Sequence, residues 1–91
     1  MGLNDYRDEA GDFLAKIGAA GVGIENKLIM LEEELNNLKA SVDEPDKLKH
    51  QIYDMLFLLF EIASDYCFDL DAEWNKGRNR KQKYYKNFHC N

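Results

Sequence analysis

Four polar side chains follow one side of a predicted long helix, where they could bind a cation or exchange a proton. They are Gln51, Asp54, Glu61 and Asp65, at spacings of three, seven and four residues. Because an α-helix repeats every 3.6 residues, these spacings bring three carboxylates onto one side of it. Clustered carboxylates raise one another's pKa unless a cation neutralises them, and oxygen ligands suit Mg²⁺.

The carboxylates of this stripe differ in their sequence surroundings. Asp54 precedes Met55–Phe60, six large apolar residues in a row, and a lone buried carboxylate is costly, which favours a functional role for Asp54. For Glu61 and Asp65 we expect a solvated acidic face, since most charge runs lie on protein surfaces.

A second set of polar residues lies on the preceding predicted helix. Lys27, Glu34 and Asn37 fall near one edge of an apolar seam, whose members are Ile24, Leu28, Leu31, Leu35 and Leu38. Steps of four and three residues are typical of a helix that packs on another helix. If the two helices pack antiparallel through their seams, Glu34 and Asp54 face each other.

The chain is predicted to be one all-α domain, residues 1–91, with four helices at 1–18, 24–40, 44–67 and 69–86. The glycine-rich residues 18–23 predict a hinge, because a phosphate-binding loop needs a strand before it and a lysine at a set offset after it. Helix starts are predicted from capping residues: Asn4 or Asp5 for the first, Asp43 or Glu44 followed by Pro45 for the third, and Asp69 for the fourth.

The third predicted helix is apolar on nearly all sides of its middle turns. Its principal stripe is Leu48, Ile52, Met55, Leu59, Ile62 and Tyr66, and a second apolar surface consists of Tyr53, Leu56, Phe57 and Phe60. A domain of 91 residues has a marginal core of its own. We therefore expect a partner to cover part of this helix.

Charge is divided unevenly along the chain. All seventeen acids lie in residues 1–75 with six of the twelve Lys and Arg, so this part carries −11, whereas residues 76–91 carry +6. The acidic body makes nucleic acid an unlikely main partner, although the basic tail leaves that question open. We expect no membrane span, no signal peptide, reduced thiols at Cys67 and Cys90, and a cytoplasmic location.

The second and third predicted helices resemble those of one family, the MazG-like all-α nucleoside triphosphate pyrophosphohydrolases. The resemblance rests on Lys27-Leu28, Glu34-Leu35 and Gln51-Ile-Tyr-Asp54-Met-Leu, and spans roughly residues 24–86. Those proteins carry an EExxE motif after a Lys-Leu pair, then ExxD on the next long helix. The resemblance implies Mg²⁺-dependent hydrolysis of (d)NTP to (d)NMP and pyrophosphate, with Mn²⁺ as a substitute ion. It also implies a four-helix MazG-like bundle completed as a homodimer or a dimer of dimers.

The motif acids are only partly present. The preferred alignment puts Met30 and Leu31 at the paired glutamates and Gln51 at the glutamate of ExxD, and keeps Glu34 and Asp54. A shifted register would use Glu33 and Glu34, with Asn37 in the third place. On the preferred alignment Glu34 and Asp54 are the catalytic and metal-binding acids, with Gln51 as a further polar ligand. These residues suit one Mg²⁺ that is also held by substrate phosphates.

The final helix of the family is basic, and here the resemblance implies phosphate contacts by Lys76, Asn79 and Arg80. The alternative is a solvated tail whose cations complement a helix C-terminus. Trp74 is expected in the core, and His50 at the surface. His89 and Cys90 lack metal-ligand spacing. Two other functions stay open: a non-catalytic helical oligomeric interaction module, and a nucleic-acid-associated protein that uses the basic, aromatic tail.

Overall fold

The computed structural model describes the backbone of residues 1–89 and the side chains of residues 1–84. Four helices follow one another: α1 (Leu3–Lys16), α2 (Ile24–Ala40), α3 (Pro45–Asp65) and α4 (Leu70–His89). The all-α fold with four helices is confirmed, and residues 1–89 contain no strand. Each helix end lies within three residues of its expected position. Within the described part of the chain, every helix is too short or too polar to cross a membrane.

Helix α3 is the centre of the fold, with α1 and α2 packed against it and α4 packed on α1. Aromatic pairs join α1 to the second apolar surface of α3: Phe13 meets Phe57 edge-to-face at 5.4 Å, and Tyr6 lies 5.8 Å from Phe60. Gly11 allows this close packing, because a Cβ there would stand only 3.2 Å from the Cβ of Ser64. Helix α1 therefore covers the Phe57 and Phe60 part of this surface, whereas Tyr53 and Leu56 stay 59% and 48% exposed.

The principal stripe of α3 is also only partly covered. The fully buried apolar side chains of the described residues are Ala10, Leu14, Leu58 and Ala63. By contrast, Leu59 on α3 and Leu28 on α2 keep 47% and 48% of their surface exposed. The radius of gyration is 16.0 Å, against about 12 Å for a compact domain of this length. One copy of the chain thus leaves much of both seams open to solvent.

The first turns of α1 and α4 cap each other. Asp71 of α4 accepts bonds from the backbone N–H groups of Leu3 (2.8 Å) and Asn4 (3.3 Å). In return, Asn4 Oδ1 accepts the backbone N–H of Leu70 at 2.8 Å. The prediction that Asn4 caps its own helix is therefore wrong, because its side chain satisfies a free donor of α4 instead.

Residues close in sequence also shape the starts of α4, α1 and α3. Asp69 caps α4 as predicted, because its carboxylate accepts the N–H of Ala72 at 3.0 Å. This hydrogen bond, together with the one that the Asn4 side chain donates to Asp69, lowers the pKa of Asp69. Asp5 accepts the N–H of Gly2, the residue before α1, at 2.8 Å. Pro45 lies in the first turn of α3 as expected, but Glu44 before it makes no capping bond with its side chain.

Two helices end on residues with left-handed backbone. Gly18 (φ 73°) follows α1, which fits the predicted hinge, and Cys67 (φ 55°) follows α3. At the second end the N–H of Phe68 returns to the carbonyl oxygen of Ala63 at 3.0 Å. Glycine adopts this conformation without steric cost, whereas cysteine is held there by the surrounding bonds.

Candidate functional site

An open cavity of about 550 Å³ lies where α1, α2 and α3 meet. Each of the three helices contributes at least one carboxyl group to its wall, and aromatic and aliphatic side chains fill the spaces between them. The lining residues are Glu9, Phe13, Met30, Glu34, Tyr53, Asp54, Phe57, Leu58 and Glu61. The cavity is thus acidic and apolar at once, and we call it the acidic cavity.

Glu34 and Asp54, the two acids kept from the motifs, both line the acidic cavity. Glu34 lies in the middle of α2, and its Oε2 is buried without a hydrogen-bond partner among the described residues. The side chain of Asp54 is 32% exposed, and its Oδ2 lies 3.2 Å from Nε2 of His50, one turn earlier in α3. The packing of α2 on α3 therefore brings these two acids to one space.

Gln51 lies one turn before Asp54 on α3, outside the residues that line the cavity. Its Oε1 is buried without a hydrogen-bond partner among residues 1–84, so the amide has an unused acceptor within that part of the chain. His50, at 70% exposure, lies at the surface as expected.

Lys27 is a buried, charged residue between α2 and α3. Its side chain is 1% exposed, and its Nζ forms an ion pair with Asp65, whose carboxylate is 30% exposed. The sequence placed Lys27 near the edge of a seam, but the structure buries it fully. The ammonium ion needs Asp65 because an unpaired charge in such a place is very costly.

Glu61 does not form the solvated face that we expected. It is 8% exposed, since α1 and α2 close over this part of α3. Burial raises the pKa of the Glu61 carboxyl, the positive charge of Lys27 lowers it, and the negative charge of Asp65 raises it further. Asp65 agrees better with the expectation, because it remains partly solvated while it pairs with Lys27.

The described residues do not form a resident metal site. No three Asp, Glu, His or Cys side chains among them lie close enough together to hold one ion. Glu34 has an unpaired oxygen, but Asp54 is engaged with His50 and Gln51 is a neutral amide. The donor set of one chain thus falls short of the Mg²⁺ site that the family resemblance implies.

The three predicted phosphate contacts lie elsewhere. Lys76, Asn79 and Arg80 are all exposed on α4, and none lines the acidic cavity. Arg80 lies 3.5 Å from Glu73 and borders a second open groove, of about 700 Å³, along α4 beside Leu3. Trp74 lines the same groove and is 60% exposed, so the expectation that it joins the core is wrong.

Two members of the site were not assigned to it from the sequence. Nothing in the sequence around Glu9 shows that it reaches a cavity. Glu61 stood on the right side of α3, seven residues after Asp54, but its burial depends on α1 and α2. The spacing was a usable signal for Glu61, and only the tertiary packing reveals its environment.

Comparisons with known proteins add no relative. No family model, no curated protein and no solved structure matches the chain. Functional inference therefore rests on the residues and their geometry.

Proposed function

We propose that this protein is a cytoplasmic, MazG-like nucleotide-binding protein of the pyrophosphohydrolase type. Its ligand is a nucleoside triphosphate in its Mg²⁺ complex, and the reaction of this type converts (d)NTP to (d)NMP and pyrophosphate. Because the described residues form no three-ligand group, any catalysis by this chain is weak compared with a site that has all five motif acids.

One observation carries the proposal. Glu34 and Asp54, on different helices, line one cavity, and Glu34 keeps a buried oxygen without a partner. Buried polar atoms in proteins are nearly always paired, so an unpaired one beside an open cavity favours a ligand there. These are also the two positions at which the chain keeps the acids of the resembled family.

Pyrophosphate release and nucleotide binding test the proposal together. The protein is assayed against the dNTPs with Mg²⁺ and with Mn²⁺, and its melting temperature is followed as nucleotide is added. We expect a nucleotide-dependent rise in melting temperature, reduced in Asp54→Asn and Glu34→Gln. The exposed Glu25→Gln, also on α2, is the matched control and should behave as wild type. Absence of both turnover and a thermal shift would overturn the proposal.

The family resemblance also implies self-association, and we propose that a second copy completes the bundle. The half-exposed Leu28, Leu35, Ile52 and Leu59 on α2 and α3 and the extended shape support this. Contiguous exposed apolar surface on a small protein commonly marks an interface. Light scattering of the wild type at micromolar concentration should show a dimer or tetramer, Leu59→Glu should shift it towards monomer, and the exposed Asn36→Glu should not. A monomeric wild type would contradict this.

A second candidate function is a non-catalytic helical oligomeric interaction module. It is favoured by the contrast between the incomplete metal site and the large exposed apolar side chains. This function predicts stable self-association together with no response to any nucleotide. The same two measurements, light scattering and nucleotide-dependent melting, therefore separate the two functions.

A further inference from the structure

Glu61 is the carboxyl of the acidic cavity that the motif resemblance does not explain. Its side chain is more than nine-tenths buried and lines the cavity with Glu34 and Asp54. Among the described residues it makes no hydrogen bond and no ion pair within 4.0 Å, because Lys27 bonds to Asp65 instead. The Glu61 carboxyl therefore has no hydrogen-bond donor among the described residues, and it can accept one from a group that enters the cavity.

The chemistry of the cavity limits what that group can be. Glu34 offers a buried acceptor oxygen without a partner among the described residues, Glu61 lines the same cavity, and an ionised carboxylate cannot donate. A group that fits is therefore a hydrogen-bond donor or a cation, and Glu61, which is not one of the two motif acids, is the carboxyl left for a donor. A bare phosphate oxygen is excluded at this position, since it would set one acceptor against another.

The rest of the wall suits a flat aromatic ligand. Phe13, Tyr53 and Phe57 line the cavity beside Glu61, and the Phe57 ring contacts both of the others, with centroids 5.4 and 5.9 Å away. Aromatic side chains stack on nucleobases whatever the base. A volume of about 550 Å³ is within the usual range for a small-molecule site.

We propose that Glu61 accepts a hydrogen bond from the exocyclic amino group of the nucleotide's base, and so selects cytosine or adenine nucleotides over uracil or thymine nucleotides. This inference rests on the nucleotide binding proposed above. Cytosine N4 and adenine N6 are amino donors, and carboxylates accept from such groups. Uracil and thymine present a carbonyl oxygen at the equivalent position, which faces Glu61 as a second acceptor.

The test uses two ligands that differ chiefly at this one group. Calorimetry measures the binding of the α,β-imido analogues of dCTP and dUTP, which resist cleavage, to the full chain with Mg²⁺. The wild type is expected to bind the cytosine analogue about tenfold or more tightly, because a site built for a donor rejects a ligand that lacks it. Glu61→Gln, whose amide both donates and accepts, should bring the two affinities within about threefold. Glu25→Gln should leave the wild-type ratio unchanged.

Each result is decisive. Equal wild-type affinities for the two analogues would overturn the role of Glu61 while leaving nucleotide binding intact, and this readout needs no variant. A cytosine preference that survives in a folded Glu61→Gln variant would overturn it as well. Failure of both analogues to bind the wild type would instead overturn the proposed function itself.

Discussion

Lys27 and Asp65 form an ion pair across α2 and α3 in which the partners differ sharply in their access to water. The Lys27 side chain is 1% exposed, whereas that of Asp65 is 30% exposed. Desolvation therefore falls mainly on the ammonium ion, and the carboxylate is what makes its burial tolerable.

This asymmetry predicts unequal effects of breaking the pair. Asp65→Asn leaves the buried ammonium ion without its ion-pair partner, and we expect it to lower the free energy of unfolding by about 3 kcal/mol. Lys27→Met removes the buried charge and leaves Asp65 in contact with solvent, so its cost should be less than half as large. Urea denaturation at one protein concentration measures both. Equal costs would mean that Lys27 is not buried as described.

Glu61 predicts a specific pH dependence of stability. Its folded-state pKa lies above the ordinary value of 4.5, so the folded chain binds this proton more tightly than the unfolded chain. Stability therefore falls as the pH rises from 4.5 through the folded pKa, and stays lower above it. Glu61→Gln, which cannot ionise, should be more stable than wild type at neutral pH, because it avoids burying the charged form.

Comparing the two proteins at lower pH provides the control for this prediction. The advantage of Glu61→Gln should shrink as the pH falls towards about 4, because wild-type Glu61 is then protonated as well. Denaturation curves of the two proteins across this range measure the difference. An advantage that is constant with pH would point to packing rather than to the charge of Glu61.

Asp71 is predicted to stabilise the contact between α1 and α4. Asp71→Ala removes the acceptor of the Leu3 and Asn4 N–H groups and should cost about 1–2 kcal/mol, as for the loss of a strong cap. Glu73→Ala, on the same helix but exposed and weakly paired with Arg80, should change stability by no more than about 0.5 kcal/mol. If the two variants were equally stable, the capping bonds would contribute nothing measurable.

At Gly11 we predict the reverse of the usual stabilising effect of replacing a helical glycine with alanine. Alanine in place of glycine normally stabilises a helix by about 1 kcal/mol, and Gly77→Ala on α4 should do so, because only the flexible Arg80 side chain lies near the new Cβ, at 3.4 Å. Gly11→Ala should destabilise instead, since its Cβ meets the Ser64 side chain. Ser64→Ala in the same chain should recover part of the loss by removing the hydroxyl. A stabilising Gly11→Ala would contradict the close contact of α1 and α3.

The sequence allowed the helices and the cap at Asp69 to be predicted because both depend on neighbouring residues. Apolar spacing of three and four residues identifies a helix wherever it lies, and Asp69 acts on Ala72, three positions away. Asn4 and Asp71 were not predictable in this way. Their bonds join residues 66 to 68 positions apart, so they exist only once α4 has docked on α1.

The candidate site was predictable to the same extent. Glu34 and Asp54 could be placed opposite each other from the two seams, and they do share a cavity. Glu61 could be placed on the correct side of α3 but not in its buried setting. That setting depends on Lys27 of α2 and on the packing of α1, and neither can be deduced from the residues next to Glu61 in the sequence.

The mutual capping of α1 and α4 also bears on the order in which the chain folds and opens. Contacts within α1–α3 join segments that are closer in sequence, whereas the caps close a loop of more than sixty residues, and long loops close at greater entropic cost. We therefore expect helix α4 to dock last and to detach first. Its amides should exchange with solvent by a local opening that leaves α1, α2 and α3 folded, which makes α4 a separate unit of stability in the chain.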